Sequence, residues 1–281
     1  KEAHPDILFI AEVYNPAQYR DYVHRGGFDY LYDKVGLYDA LRAVTRHEAS
    51  AQCLTRCWQQ VDDIRTHMLH FLENHDEQRL ASDFFAGDAR RGRAPLLVSA
   101  LMDYCPMMIY FGQELGERGM DAEGYSGRDG RTTIYDYWTV DTVSRWRNGG
   151  KFNDKKLTGD EKRLREFYAR VLALRESMPV LRSGHFYDLM YVNRHLHRQY
   201  VFVRQLEKQV LLVIANFDDQ EANLSIHLPE EFFRFIGQKG QTEVRALDLL
   251  SEEETQVDFT PDRPLCAKVL PWNGLVLSTD L

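Results

Sequence analysis

The chain has 281 residues, 44% of them hydrophobic and 28% charged, with a formal net charge of −8. That is ordinary globular composition, with length for one large domain or two smaller ones. The acidic balance argues against a nucleic-acid partner, which needs a basic face, no Lys/Arg block suits an anionic membrane surface, and no run of about 18 apolar residues is present to span a bilayer.

In chain order, "ILFIA" at 7–11 is a short continuous apolar run that predicts a strand buried on both faces, as in parallel sheets. It ends in a carboxylate, Glu12, with Tyr14 and Asn15 close behind. "FDYLYD" at 28–33 predicts a second strand, leading into helical "GLYDALRAVTRH" and then helix-like "SAQCLTRCWQQVDDI". "HMLHFLENHDEQR" reads as a third strand ending at 72 or 73 in a polar cluster. "APLLVSALMDYC" predicts a helix with Pro95 in its first turn, and "PMMIYFGQE" a fourth buried strand. Strand and helix alternating at this spacing imply βα units and a parallel sheet.

Residues 113–157 form a Gly- and charge-rich stretch long enough to suggest a functional loop. Thr158 and Glu161 then have capping-box spacing, with Leu164, Phe167, Val171 and Leu174 along one helical face and Pro179 beyond its end. After about 185, short alternating or β-branched runs ("YVFVRQL", "QVLLVIANF", "ANLSIHL", "VRALDLL", "GLVLSTDL") predict an antiparallel β-sandwich without helices. The boundary falls at Ser183-Gly184, giving residues 1–183 and 184–281 as two domains. Cys53, Cys57, Cys105 and Cys266 show no paired zinc-ligand spacing and read as free, largely buried thiols.

Ligands of parallel α/β sheets and barrels bind beyond the carboxyl ends of the strands. Three strands end there in polar residues: Glu12 with Tyr14, Asn74-His75-Asp76, and Gln113-Glu114. Singly, each has a plain structural reading. Glu12 is then the first solvated residue after a strand, Asn74 and Asp76 are caps, and His75 is a satisfied interior histidine. Together they place two carboxylates over one mouth, as acid-catalysed glycosidic cleavage requires.

These blocks resemble the α-amylase family of glycoside hydrolases. "FLENHDEQR" is similar to its Phe-x-x-Asn-His-Asp block, "ILFIAEVY" to the block around its catalytic acid, and "CPMMIYFGQELG" to its last-strand block. "FYARVLALRESMPVLRSG" resembles the helix leading out of its barrel, and "VLLVIANF" with "PWNGLVLS" its C-terminal β-domain. The resemblance implies the second half of a (β/α)8 TIM barrel followed by an antiparallel β-sandwich. It also implies catalytic roles for Glu12, as general acid/base, and Asp76, which grips sugar hydroxyls at the transition state. His75, Asn74, Tyr14, Tyr125 and Trp138 are its implied substrate-binding residues, with Trp58, Tyr110, Tyr137 and Trp146 as further stacking candidates. Glu114 is expected to tie backbone together.

Only four of eight βα units are present, and no Gly-Phe-Arg-x-Asp-type nucleophile block precedes Asp6. The chain therefore reads as a fragment of a retaining hydrolase or transglycosylase acting on α-linked glucans or oligosaccharides, inactive alone. Its expected partners are substrate and either the missing N-terminal half of the barrel or a second copy of the chain. A non-catalytic glucan-binding or transporter-associated subunit is the alternative; the missing nucleophile favours it, and the retained Glu12, His75 and Asp76 oppose it. An oxidoreductase is set aside for want of a Gly-x-Gly-x-x-Gly opening a helix. No cofactor is read with certainty. Calcium belongs to the parent enzyme if anywhere, and the spacing of Asp121, Glu123 and Asp129 matches no known ligand loop. The opening "KEAHPD" has no signal-peptide pattern, which in a chain starting inside a domain leaves its compartment unread.

Overall fold

A computed structural model describes residues 1–121, 128–132, 134–135 and 139–281. Its first part is a four-stranded parallel sheet in chain order: β1 (Ile10–Ala11), β2 (Tyr30–Tyr32), β3 (Met68–Phe71) and β4 (Met107–Met108). Ala11 pairs with Leu31 and Leu31 with Met68, while His70 pairs with Met107, so the strands run in step and their carboxyl ends share one rim. Helices α1 (Asp39–Thr45), α2 (Cys53–Gln60) and α3 (Arg93–Leu101) connect the strands. Helices α4 (Asp141–Arg147), α5 (Gly159–Ser177) and α6 (Pro179–Ser183) follow.

Four strands form within the expected runs but are shorter, β1 covering only Ile10–Ala11 of 7–11 and β4 only Met107–Met108 of "PMMIYFGQE", and two runs are less buried than their apolarity suggests. Ile7, Leu8, Phe9 and Ile10 are 42%, 62%, 41% and 49% exposed; the first three precede β1, which is an edge strand with β2 on one side only. β4 is the opposite edge, and Phe111 just beyond it is 54% exposed. The 113–157 stretch is not wholly loop, since α4 lies within it. The capping box at Thr158 forms as expected: the Thr158 hydroxyl accepts from the Glu161 amide at 3.2 Å, and the Glu161 carboxylate accepts from the Thr158 amide at 2.8 Å.

The C-terminal part is antiparallel. A six-stranded sheet has the order β10-β9-β12-β7-β6-β5, built from β5 (His185–Asp188), β6 (Gln199–Leu206), β7 (Gln209–Asn216), β9 (Gln241–Asp248), β10 (Glu253–Phe259) and β12 (Gly274–Asp280). A two-stranded ribbon pairs β8 (Ala222–Ile226) with β11 (Leu265–Val269). The expectation of no helices is corrected by α7 (Glu230–Ile236), which buries Phe232, Phe233 and Ile236 in the shared core. Of the four free thiols, Cys105 is buried, Cys53 and Cys57 half-buried, and Cys266 exposed on the ribbon, which corrects the expectation for that residue.

One continuous apolar cluster runs from Phe71, Leu97 and Val171 into Val201, Leu212 and Val276. Its seam is closed by two arginines. A helix leaves its last carbonyls without intrahelical partners, and at α3 these are met from outside. Arg175 of α5 donates to the Ala100 carbonyl at 2.6 Å and Arg204 of β6 to Met102 at 2.5 Å. Arg204 also donates to Leu181 at 3.0 Å and Gly184 at 2.8 Å, joining the antiparallel sheet to α6. Among the described residues no helix is long and apolar enough to cross a membrane.

Candidate active site

The site sits where β1 and β3 end. Past Ala11 the chain presents Glu12, and the following Asn15-Pro16 turn, in which Asn15 caps the Ala17 amide at 3.1 Å, stops any further pairing. Beyond β3, Asn74 is buried, and its side-chain oxygen accepts from the amides of Asp76 (2.9 Å) and Glu77 (2.8 Å). That local bond bends the segment and pushes His75 and Asp76 outward.

The result is a compact trio. His75 Nε2 lies 4.0 Å from a Glu12 oxygen and 3.4 Å from an Asp76 oxygen, and one donor atom from each of the three falls within 4.8 Å of the others. Glu12 and Asp76 are solvent-accessible at the mouth and His75 is partly covered. The Tyr14 hydroxyl stands 3.5 Å from Glu12. Burial, then the nearby Glu12, Asp76 and Glu77 carboxylates, push its phenol up to about 12. Tyr32 of β2 is raised in the same way, by burial and by Glu12. Chemically the arrangement offers two acidic side chains beside an imidazole at a solvent-accessible mouth.

Several positioning residues have no strong sequence signal. The buried Glu73 carboxylate accepts from Arg79 at 2.7 Å and from the Leu80 amide at 2.8 Å. Arg79 in turn donates to the Phe111 carbonyl at 2.6 Å and to Thr132, and its guanidinium lies over the Tyr110 ring. This closes the 74–78 loop at its base and ties it to β4. Arg131 donates to the Asp76 carbonyl at 2.7 Å. Lys34 is ion-paired to Asp39 at 2.8 Å and to Glu77 at 3.3 Å, and Tyr38 donates to Glu77 at 3.2 Å. Only the short Glu73-to-Arg79 interval offered a hint of any of this.

The other expected site residues fare differently. Tyr125, Tyr137 and Trp138 lie outside the described residues, as does Glu123. Trp58 packs against Phe186 and donates to Asp188 at 2.8 Å, which makes it a core residue. Trp146 packs on Phe152 with Arg165 over its ring, and Tyr110 donates to the Thr132 carbonyl at 2.6 Å. Backbone tying falls to Gln113, which accepts from the Tyr110 amide at 3.1 Å and donates to the Tyr168 hydroxyl. Asp129 is ion-paired to Arg131 at 2.7 Å.

No protein-family model matches the sequence, and no curated protein matches it. Solved structures do match. A noncanonic maltogenic α-amylase from Thermotoga neapolitana has 16% identity and a TM-score of 0.68 over 100% of this chain and 56% of that one. An α-amylase from Geobacillus thermoleovorans complexed with acarbose has 18% identity and a TM-score of 0.67 over 99% and 54%. A cyclomaltodextrinase has 20% identity and a TM-score of 0.66 over 100% and 41%. The chain spans about half the length of the first two and less of the third. In fold, this protein is similar over its whole length to about half of an α-amylase-family enzyme.

Proposed function

We propose that this chain is the acid-bearing, sugar-gripping half of a retaining glycoside hydrolase that acts on α-linked glucans or oligosaccharides. The observation that carries the reading is the meeting of Glu12 with His75 and Asp76 from two strand ends. Glu12 is the general acid/base, protonating the glycosidic oxygen and later activating water. Asp76 and His75 bind hydroxyls of the sugar whose ring flattens towards an oxocarbenium ion, with Asn74 holding the loop. The attacking carboxylate comes from outside this chain, and without it several orders of magnitude of rate are lost. Incubation with p-nitrophenyl maltosides tests the reading. The chain alone is expected to release no nitrophenol at an enzymatic rate, and co-production with the polypeptide encoded upstream to restore release, abolished by Glu12→Gln. Normal turnover by the chain alone, lost on Asp76→Asn, makes Asp76 the nucleophile instead.

We further propose that residues 1–183 form the second half of a (β/α)8 barrel and residues 184–281 a C-terminal β-domain. The four parallel strands with connecting helices and the change to antiparallel pairing at β5 support this. The partner is a polypeptide that covers both open sheet edges. Support comes from the exposed Ile7–Ile10 side chains at β1 and a groove of about 410 Å³ lined by Ile109, Phe111 and Trp146 at β4.

A further inference from the structure

We propose that Glu12, His75 and Asp76 bind a divalent transition-metal ion of borderline hardness, with zinc the best match, through one oxygen of each carboxylate and Nε2 of His75. This goes beyond the glycosidase reading and needs none of it except where competition with sugar is concerned.

The geometry is close to a ligand set already. Zinc bonds nitrogen and carboxylate oxygen at about 2.0–2.2 Å, so the edges of its tetrahedron are roughly 3.4 Å. The His75–Asp76 edge is 3.4 Å as it stands, the His75–Glu12 edge is 4.0 Å, and the third is no longer than 4.8 Å. Glu12 has the freedom to close the gap. Its side chain is 39% exposed, and the hydrogen bond it accepts from Tyr14 is at the long distance of 3.5 Å.

The trio differs from the acidic groups around it. Glu77 and Asp39 are occupied by Lys34, and Asp129 by Arg131. Among the described residues no lysine or arginine pairs with the side chain of Glu12 or Asp76, and the group facing both is an imidazole nitrogen. In the deprotonated forms that bind a metal, two carboxylates and one imidazole carry two negative charges, matching a divalent ion. A mixed nitrogen and oxygen set suits zinc, whereas calcium and magnesium take oxygen ligands and more of them. Asn74 supplies the outer support, fixing the Asp76 backbone through its amide. Three protein ligands leave the fourth position open to water. In the glycosidase reading the same three side chains hold sugar, so ion and sugar exclude one another.

Titrating zinc sulfate into untagged, chelator-stripped chain by calorimetry tests the site. The expected result is one saturable ion per chain, no comparable binding of magnesium or calcium, and an affinity loss of about tenfold or more in His75→Ala and in Glu12→Gln. Both positions are partly exposed, so the variants are expected to fold, as circular dichroism will check. Absence of saturable zinc binding, or zinc binding unchanged in both variants, overturns the proposal. Repeating the titration with maltotriose present separates the two readings. Maltotriose binding without zinc binding removes the metal site alone, whereas zinc binding in a chain that ignores maltotriose keeps the metal site and removes the sugar reading.

Discussion

The trio was legible in the sequence because its signal is local: an apolar run that stops in a glutamate, and an Asn-His-Asp block at another strand end. Its supports were not legible, because each joins residues with no periodic relation. Lys34 reaches Glu77 across forty-odd positions, and Arg79 finds Thr132 and the Phe111 carbonyl from other loops. The Glu73–Arg79 pair is fully buried, and breaking such a pair from one side costs about 3–5 kcal/mol because the other charge is stranded. Glu73→Gln is therefore expected to lose about that much stability in urea unfolding. It is also expected to speed amide exchange in the 74–78 loop, and an unchanged midpoint would show that the clamp is dispensable.

Among elements, α5 followed the sequence signals most closely, since capping box, apolar face and terminal proline all agree. Thr158→Ala is expected to cost about 1 kcal/mol, read from the thermal midpoint. Its partner Glu161 also titrates informatively. Burial opposes its charge, but hydrogen bonds from Arg145 and the Thr158 amide hold its carboxyl below the ordinary glutamate range. A depressed folded-state value means stability that is present above the unfolded value of about 4.3. That stability is lost as pH falls through the lower folded value. The stability gap between wild type and Glu161→Gln is therefore expected to be constant near neutrality and to shrink below about pH 4.3. A gap that widens on acidification contradicts the assignment. By contrast, α7 escaped notice because seven residues rich in phenylalanine show strand-like composition. The proline before it and the glycine after it, in the left-handed region with φ 67°, were the available signals.

At the level of the whole molecule, apolar runs marked the strands of both parts but not how the parts join. That join depends on close approach and on side chains reaching far along the chain. A Cβ on Gly274 at the start of β12 would stand 2.4 Å from Leu97 of α3 and 2.3 Å from the Ile214 carbonyl. Gly274→Ala is expected to push the sheet off α3 and cost about 1–3 kcal/mol. Arg204 meets carbonyls of α3 and α6 with a planar fork that lysine lacks. Arg204→Lys is expected to destabilise by about 1–3 kcal/mol, the cost of buried acceptors left unpaired.

The open edges of the parallel sheet and the trio on its rim both enter the proposed function, whose central claim is that the trio binds sugar. The most direct test is to follow the His75 ring resonances by NMR while maltotriose is added. The account predicts a saturable shift of the His75 signals that disappears in Asp76→Asn. A His75 ring that stays unmoved at sugar concentrations that perturb other residues contradicts it.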